Sequence, residues 1–162
     1  MARRKPSLSH LDKTGAAHMV DVGTKRITRR TAVATAVITM KPDVLDRILT
    51  GRIPKGDVLA VARIAGILAA KRTDELIPLC HPLNIDQIQV DFEPAGRGEL
   101  RIRVEVRLRA RTGAEMEALT AASVTALTVY DMCKSADRGM VIGPIRLESK
   151  TGGKSGSFQA AR

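Results

Sequence analysis

Two side chains of complementary chemistry, Asp131 and Lys134, stand three residues apart near the end of a long apolar run. On a helix that spacing makes them neighbours on one face. They read either as a surface ion pair or as an acid/base pair, in which the carboxylate positions or accepts a proton and the ammonium donates one or holds phosphate. An Asp in a last helical turn opposes the helix dipole, which points towards chemistry rather than packing. Cys133, between them, faces the core. A second group, Cys80-His81, lies in the stretch RTDELIPLCHPL (72–83), whose two prolines exclude a regular helix interior. The pair reads as a polar contact to a ligand on a stiffened loop, or as an ordinary loop with a buried Cys. A structural zinc site would have to gather Cys133 and the two N-terminal histidines as well, so no metal ligand is assigned. A third group, Lys150 and Lys154 among Gly152, Gly153 and Gly156, resembles part of a phosphate loop. The full pattern needs a glycine where Glu148 stands and a helix afterwards, so the P-loop is rejected. What remains is a segment that wraps an anion, or a solvated tail.

The elements that must hold these groups follow from periodicity. RTGAEMEALTAASVTALTVYDMCK (111–134) reads as one long helix, with Thr112 and Glu115 as a capping box. No charge interrupts Ala118 to Tyr130, so most of its faces are predicted to be buried. Residues 30–40 alternate two sets of small or apolar side chains, as in a strand covered on both sides. Pro42 opens a short helix that ends at Gly51, and Asp57 caps a second helix from Val58 to about Lys71. Ile88, Val90 and Phe92 begin a hairpin that turns at 94–98. Leu100 to Ala110 then alternates apolar residues with arginines, the cleanest period-two pattern in the chain. Met140 to about Ser149 is the last strand, with an edge or bulge at Gly143-Pro144. The order strand, helix pair, strand, strand, helix, strand predicts an α+β fold of the ferredoxin-like split βαβ type (β-αα-β-β-α-β), an antiparallel sheet with helices on one face. Residues 1–28 read as an irregular arm, with 1–7 disordered. Residues 29–150 form a single domain, and 151–162 a flexible tail.

Bulk properties narrow the function. Lys and Arg number 27 against 17 acidic residues, a net charge of +10, which favours an anionic partner. With no Trp, one Tyr and two Phe the core must be aliphatic. Two separated cysteines fit a reducing cytoplasm, and neither a transmembrane run nor a secretory signal is visible. RNA-recognition modules share this strand order but stack bases on aromatics of their central strands. Strands 30–40 and 100–110 contain none. A small basic RNA-binding module therefore stands as the alternative reading only.

Long stretches of the chain resemble the molybdenum cofactor biosynthesis protein C (MoaC) family, the cyclic pyranopterin monophosphate synthases. They are MVDV (19–22), KGDVLAVARIAGILAAKRTDELIPLCHPL (55–83), the 111–134 helix, RGMVI (138–142) and KTGGKSG (150–156). The resemblance implies a ferredoxin-like subunit in a hexamer of dimers, with active sites at subunit interfaces. It implies a lyase that converts a cyclised dihydro-GTP into cyclic pyranopterin monophosphate and diphosphate. It carries the catalytic Asp onto Asp131 and the essential lysines onto Lys55, Lys134 and Lys150. Substrate binding falls on Leu79-Cys80-His81 and Met116-Glu117, with Arg30 a further phosphate ligand. In these roles Lys55, Lys150 and Arg30 neutralise phosphate charge. Asp131 and Lys134 transfer protons, the lysine with a pKa lowered by neighbouring cations. No cofactor is implied, although a divalent metal could accompany the triphosphate. Glu117 and Asp131 are fourteen residues apart, about 21 Å along a helix. The two ends are therefore expected to serve different pockets, each completed by a neighbouring chain.

Overall fold

The computed structural model describes residues 14–154 and 156–161; the disorder expected for residues 1–7 lies outside them. In chain order the elements are β1 (Thr28–Thr39), α1 (Pro42–Leu49), α2 (Val58–Ala70), α3 (Thr73–Leu76), β2 (Gln87–Gly96), β3 (Glu99–Ala110), α4 (Glu115–Cys133), β4 (Val141–Thr151) and β5 (Phe158–Gln159). The strands lie in the order β2-β3-β1-β4-β5, and every pairing is antiparallel. Leaving β5 aside, this is the predicted ferredoxin-like arrangement.

The register of β1 against β3, from Thr28 opposite Ala110 to Thr39 opposite Glu99, decides which side chains face the helices. Ala32, Ala34, Ala36 and Ile38 of β1 and Ile102, Val104 and Val106 of β3 have no solvent exposure. All but Ile38 meet Ala118, Ala121, Ala122 and Ala126 of α4 in one cluster, and Ile38 joins a second. Alanine on both surfaces lets α4 lie close to the sheet, which explains why this helix is small-residue rich rather than strongly two-faced. A second cluster around Val44, Leu45, Ile48, Leu100, Val129 and Cys133 closes the far end of the layer under α1. Helix α2 packs on α4 at Gly66, where an added Cβ would overlap Thr125 Oγ1 and lie 3.2 Å from the Ala121 carbonyl.

Local signals in the sequence explain the helix starts. Pro42 occupies the first turn of α1, and the Asp57 carboxylate accepts from the Ala60 N–H at 3.0 Å to cap α2. Asp137, after α4, accepts from the backbone N–H groups of Lys41 and Gly139 at 2.9 and 3.0 Å. It thereby ties the start of α1 to the end of α4.

Four features differ from the expectations. Helix α4 begins at Glu115 behind Ala114, which makes no side-chain cap. The capping box does not form, because Glu115 pairs instead with Lys150 across 2.7 Å. One helical turn, α3, precedes Pro78. A fifth strand forms where a polar tail was expected, with Phe158 and Gln159 opposite Lys150 and Ser149. The outer face of β1 is only partly covered by the described residues: Val33 is buried, but Thr31, Thr35 and Val37 remain half-exposed. That face carries the pairs Arg103–Glu105 and Arg146–Glu148. The break at Gly143-Pro144 is a bulge, with the register of β4 shifting between Ala36 and Ile38.

Candidate active site

The N-terminal end of α4 meets the Pro78–Pro82 loop. Leu79, Cys80 and His81 from the loop and Met116 and Glu117 from the helix line one cavity of about 320 Å³, closed on another side by Val20 and Val22 of the N-terminal arm. Glu117 is only 4% exposed, and its carboxyl is pushed up from 4.5 to about 7. Burial is the main cause, its own backbone N–H opposes the shift, and the Glu115 and Asp74 carboxylates add to it. Burial also pushes the Cys80 thiol up, reinforced by Glu117 and Asp74. A carboxyl near half-protonation offers both a donor and an acceptor, whereas a fully ionised one only accepts.

Beside this cavity lies a second of about 880 Å³ whose wall is strongly cationic: Lys25, Arg26, Arg30, Arg111, Lys150 and Lys154. Thr112, Gly113, Glu115 and Lys25 line both cavities, so the two adjoin along a shared wall. Lys150, on the last part of β4, donates to Glu115 Oε1 at 2.7 Å, both side chains being less than a third exposed. Arg30 donates from its terminal nitrogens to the Gly152 and Arg111 carbonyls, while its buried Nε has no partner among the described residues.

The third group sits at the opposite end of α4. Lys134 Nζ donates to Asp131 Oδ1 at 2.6 Å. Lys55, from the loop before α2, donates to the Asp131 carbonyl at 2.9 Å and lies 3.7 Å from Oδ2. The Lys134 hydrogen bond and charge, with Lys55 behind them, hold the Asp131 carboxyl below its ordinary range. Lys134 is moved in the other direction from the sequence expectation: its hydrogen bond to Asp131, and that carboxylate's charge, raise its pKa. The counter-ion is nearer than any cation, so Lys134 carries its proton at neutral pH. All three side chains are close to half-exposed or more.

The fold thus gathers Leu79, Cys80, His81, Met116 and Glu117 in one place, with Arg30, Lys150 and Lys154 alongside. It gathers Lys55, Asp131 and Lys134 in another. It does not unite the two groups within one chain, because α4 separates them. Sequence reasoning passed over Lys25, Arg111 and the pairing role of Glu115. Only the general basic excess signalled the first two, and the apparent capping box concealed the third. Among the described residues no three His, Cys, Asp or Glu gather as a metal site requires, and no helix is long and apolar enough to cross a membrane.

A ferredoxin-like sheet without aromatics on β1 or β3, carrying a cationic cavity that adjoins one with a buried carboxyl, has the form of a small-molecule enzyme subunit and lacks the stacking platform of an RNA-recognition module. The chain belongs to the MoaC family, whose model matches residues 19–153. It is 59% identical over 152 residues to cyclic pyranopterin monophosphate synthase 3 of Mycobacterium tuberculosis strain H37Rv, covering 94% of this chain and 86% of that protein. The cyclic pyranopterin monophosphate synthase of Desulforapulum autotrophicum is 57% identical over 155 residues, covering 95% of each chain. That of Brucella ovis is 58% identical over 152 residues, covering 93% of this chain and 92% of its own.

Proposed function

We propose that this protein is a cyclic pyranopterin monophosphate synthase of molybdenum cofactor biosynthesis, converting a cyclised dihydro-GTP into cyclic pyranopterin monophosphate and diphosphate. The observation that carries this reading is that the two cavities adjoin, sharing Thr112, Gly113 and Glu115 as wall residues. One is suited to a ring that presents donors and acceptors, and the other to several phosphate charges. Leu79 and Met116 supply apolar contact for the ring, and Cys80, His81 and Glu117 supply polar contact. Lys150 and Lys154 neutralise the phosphates. Closing the cyclic phosphate expels diphosphate, and fixed cations at the leaving oxygens lower that barrier.

Asp131 stands about 21 Å from Glu117 along α4, so Asp131 and its partners Lys134 and Lys55 are too far to act on a substrate bound beside Glu117 of the same chain. The reading therefore includes a homo-oligomer, a hexamer of dimers, in which a neighbouring chain brings this trio to each substrate. In that setting protonated Lys134 is the acid or electrostatic partner of the leaving phosphate, and ionised Asp131 is the base.

The test is incubation of the purified protein with enzymatically prepared cyclised dihydro-GTP, following diphosphate and the pterin product by chromatography. Stoichiometric formation of both is expected. No turnover by folded oligomer overturns the reading, and Lys134→Ala releasing diphosphate at the wild-type rate overturns the role of that lysine.

A further inference from the structure

Arg30 combines a cation in the phosphate cavity with bonds that do not lead into it. The guanidinium donates through NH1 to the Gly152 carbonyl at 3.3 Å and through NH2 to the Arg111 carbonyl at 3.2 Å. Those carbonyls belong to the two segments that wall the cationic cavity, one leading from β3 into α4 and the other passing from Lys150 to Lys154. The second segment is shaped to lie on the cation. Gly152 and Gly153 have φ of +94° and +81°, where side chains are disfavoured. A Cβ on Gly152 would overlap the Arg29 carbonyl, and one on Gly153 would overlap the Arg30 guanidinium itself. The Lys150–Glu115 ion pair closes the same seam from its other side.

We infer that Arg30 is a positioning residue, a clamp between the Gly152 and Arg111 carbonyls that sets Lys150 and Lys154 against the Arg111–Thr112 turn, rather than a principal phosphate ligand. A planar fork with divergent N–H groups can hold two carbonyls on different segments. A lysine, a point charge on a flexible stem, cannot hold both in that geometry. Bonds from an ionised donor are also stronger than neutral ones, which suits a part that must keep two backbone segments in register. Gly153 is the other half of the device, since only a residue without Cβ leaves room for the guanidinium. The inference rests on the proposed function in taking this cavity as the triphosphate site.

Three variants separate the clamp from a direct ligand. Arg30→Lys keeps the charge, Arg30→Gln removes it, and Gly153→Ala leaves Arg30 intact while pushing the chain off it. Each is measured for KM and kcat with the cyclised dihydro-GTP, for inhibition by inorganic tripolyphosphate, and for amide hydrogen exchange at 111–113 and 150–154 without ligand. A clamp predicts that all three raise KM and weaken tripolyphosphate to a similar degree, roughly tenfold to a hundredfold, as expected for displaced binding groups. It also predicts faster exchange in both segments, and an Arg30→Lys/Gly153→Ala double variant no worse than the weaker single one, because both break one device. The inference is overturned if Arg30→Lys stays within about threefold of wild type while Arg30→Gln loses more than about tenfold, the pattern of a charge that simply meets phosphate. Multiplicative effects in the double variant overturn it as well. The exchange measurement does not depend on turnover. A wild-type protein inert towards the substrate removes the proposed function, whereas unchanged exchange in Arg30→Lys removes the clamp.

Discussion

Replacing Glu117 by Gln tests the physical account of the ring cavity through the pH dependence of stability. The Glu117 carboxyl rises from 4.5 to about 7 on folding, mainly through burial. The difference, 7 minus 4.5, is about 2.5 pKa units, and at about 1.36 kcal/mol per unit the linked free energy is about 3 kcal/mol. The folded state holds this proton more tightly than the unfolded chain. The stabilising contribution is therefore complete below pH 4.5 and is lost as pH rises through about 7. Gln cannot ionise, so Glu117→Gln removes the loss. Relative to wild type, the variant should gain about 3 kcal/mol between pH 4.5 and pH 8, or roughly 6–12 °C in Tm for a chain of this length. Thermal melts of both proteins across that range, at one fixed protein concentration because assembly shifts Tm, provide the measurement. The lowered carboxyls of Asp131, Asp137, Glu105 and Glu148 give both proteins the opposite slope at acid pH and cancel in the difference. A Tm difference that stays constant with pH would refute the reasoning.

Asp131→Asn should lower kcat by about a hundredfold to ten-thousandfold, the usual weight of a positioned acid or base. Because Asp131 is exposed, its Tm should move little, and activity within about twofold of wild type would contradict the assignment. Lys150→Gln should raise KM for the triphosphate substrate and flatten the salt dependence of KM, since one fixed cation no longer contributes to attraction; an unchanged salt slope in steady-state kinetics would count against phosphate binding there. Gly66→Ala should destabilise the fold by about 1–3 kcal/mol in denaturant melts, because its Cβ meets Thr125 and the Ala121 carbonyl where α2 and α4 touch. Stability equal to wild type would show that the two helices are not held that closely.

What the sequence makes legible is what local patterns control. The alternation of β3 is plain because one face of an antiparallel strand is buried and the other is wet. Asp57 and Pro42 announce helix starts because a cap acts within three or four residues of itself. The misleading signal at Thr112–Glu115 has the same local form, yet the Glu115 carboxylate is captured by Lys150, thirty-five residues further on. No spacing rule sees that competitor. Strand β5 is hidden for a similar reason: two residues carry no period, and their pairing follows from how the chain returns past Gly152, Gly153 and Gly156. In the site, Asp131 and Lys134 are legible as neighbours from helical spacing. The direction of the Lys134 shift is not, because it depends on whether carboxylate or cations come nearest. Glu117 reads in sequence as an acidic residue in a helical first turn. Its near-neutral carboxyl arises from burial, with Asp74 brought close by the fold.

Helix α4 also acts as a ruler marked in residues. Glu117 and Glu115 belong to its first turn, and Asp131 to its last, where Lys55 from a separate loop grips the Asp131 carbonyl. Substituting a side chain between them alters packing but leaves the interval intact. Adding or deleting a single residue would turn everything beyond it by about 100° and shift it by about 1.5 Å. Asp131 would then face away from Lys55, while the far end of the helix stayed in place. Substitutions along α4 therefore preserve this interval, within the limits of its alanine-tight contact with the sheet, whereas a change in its count does not.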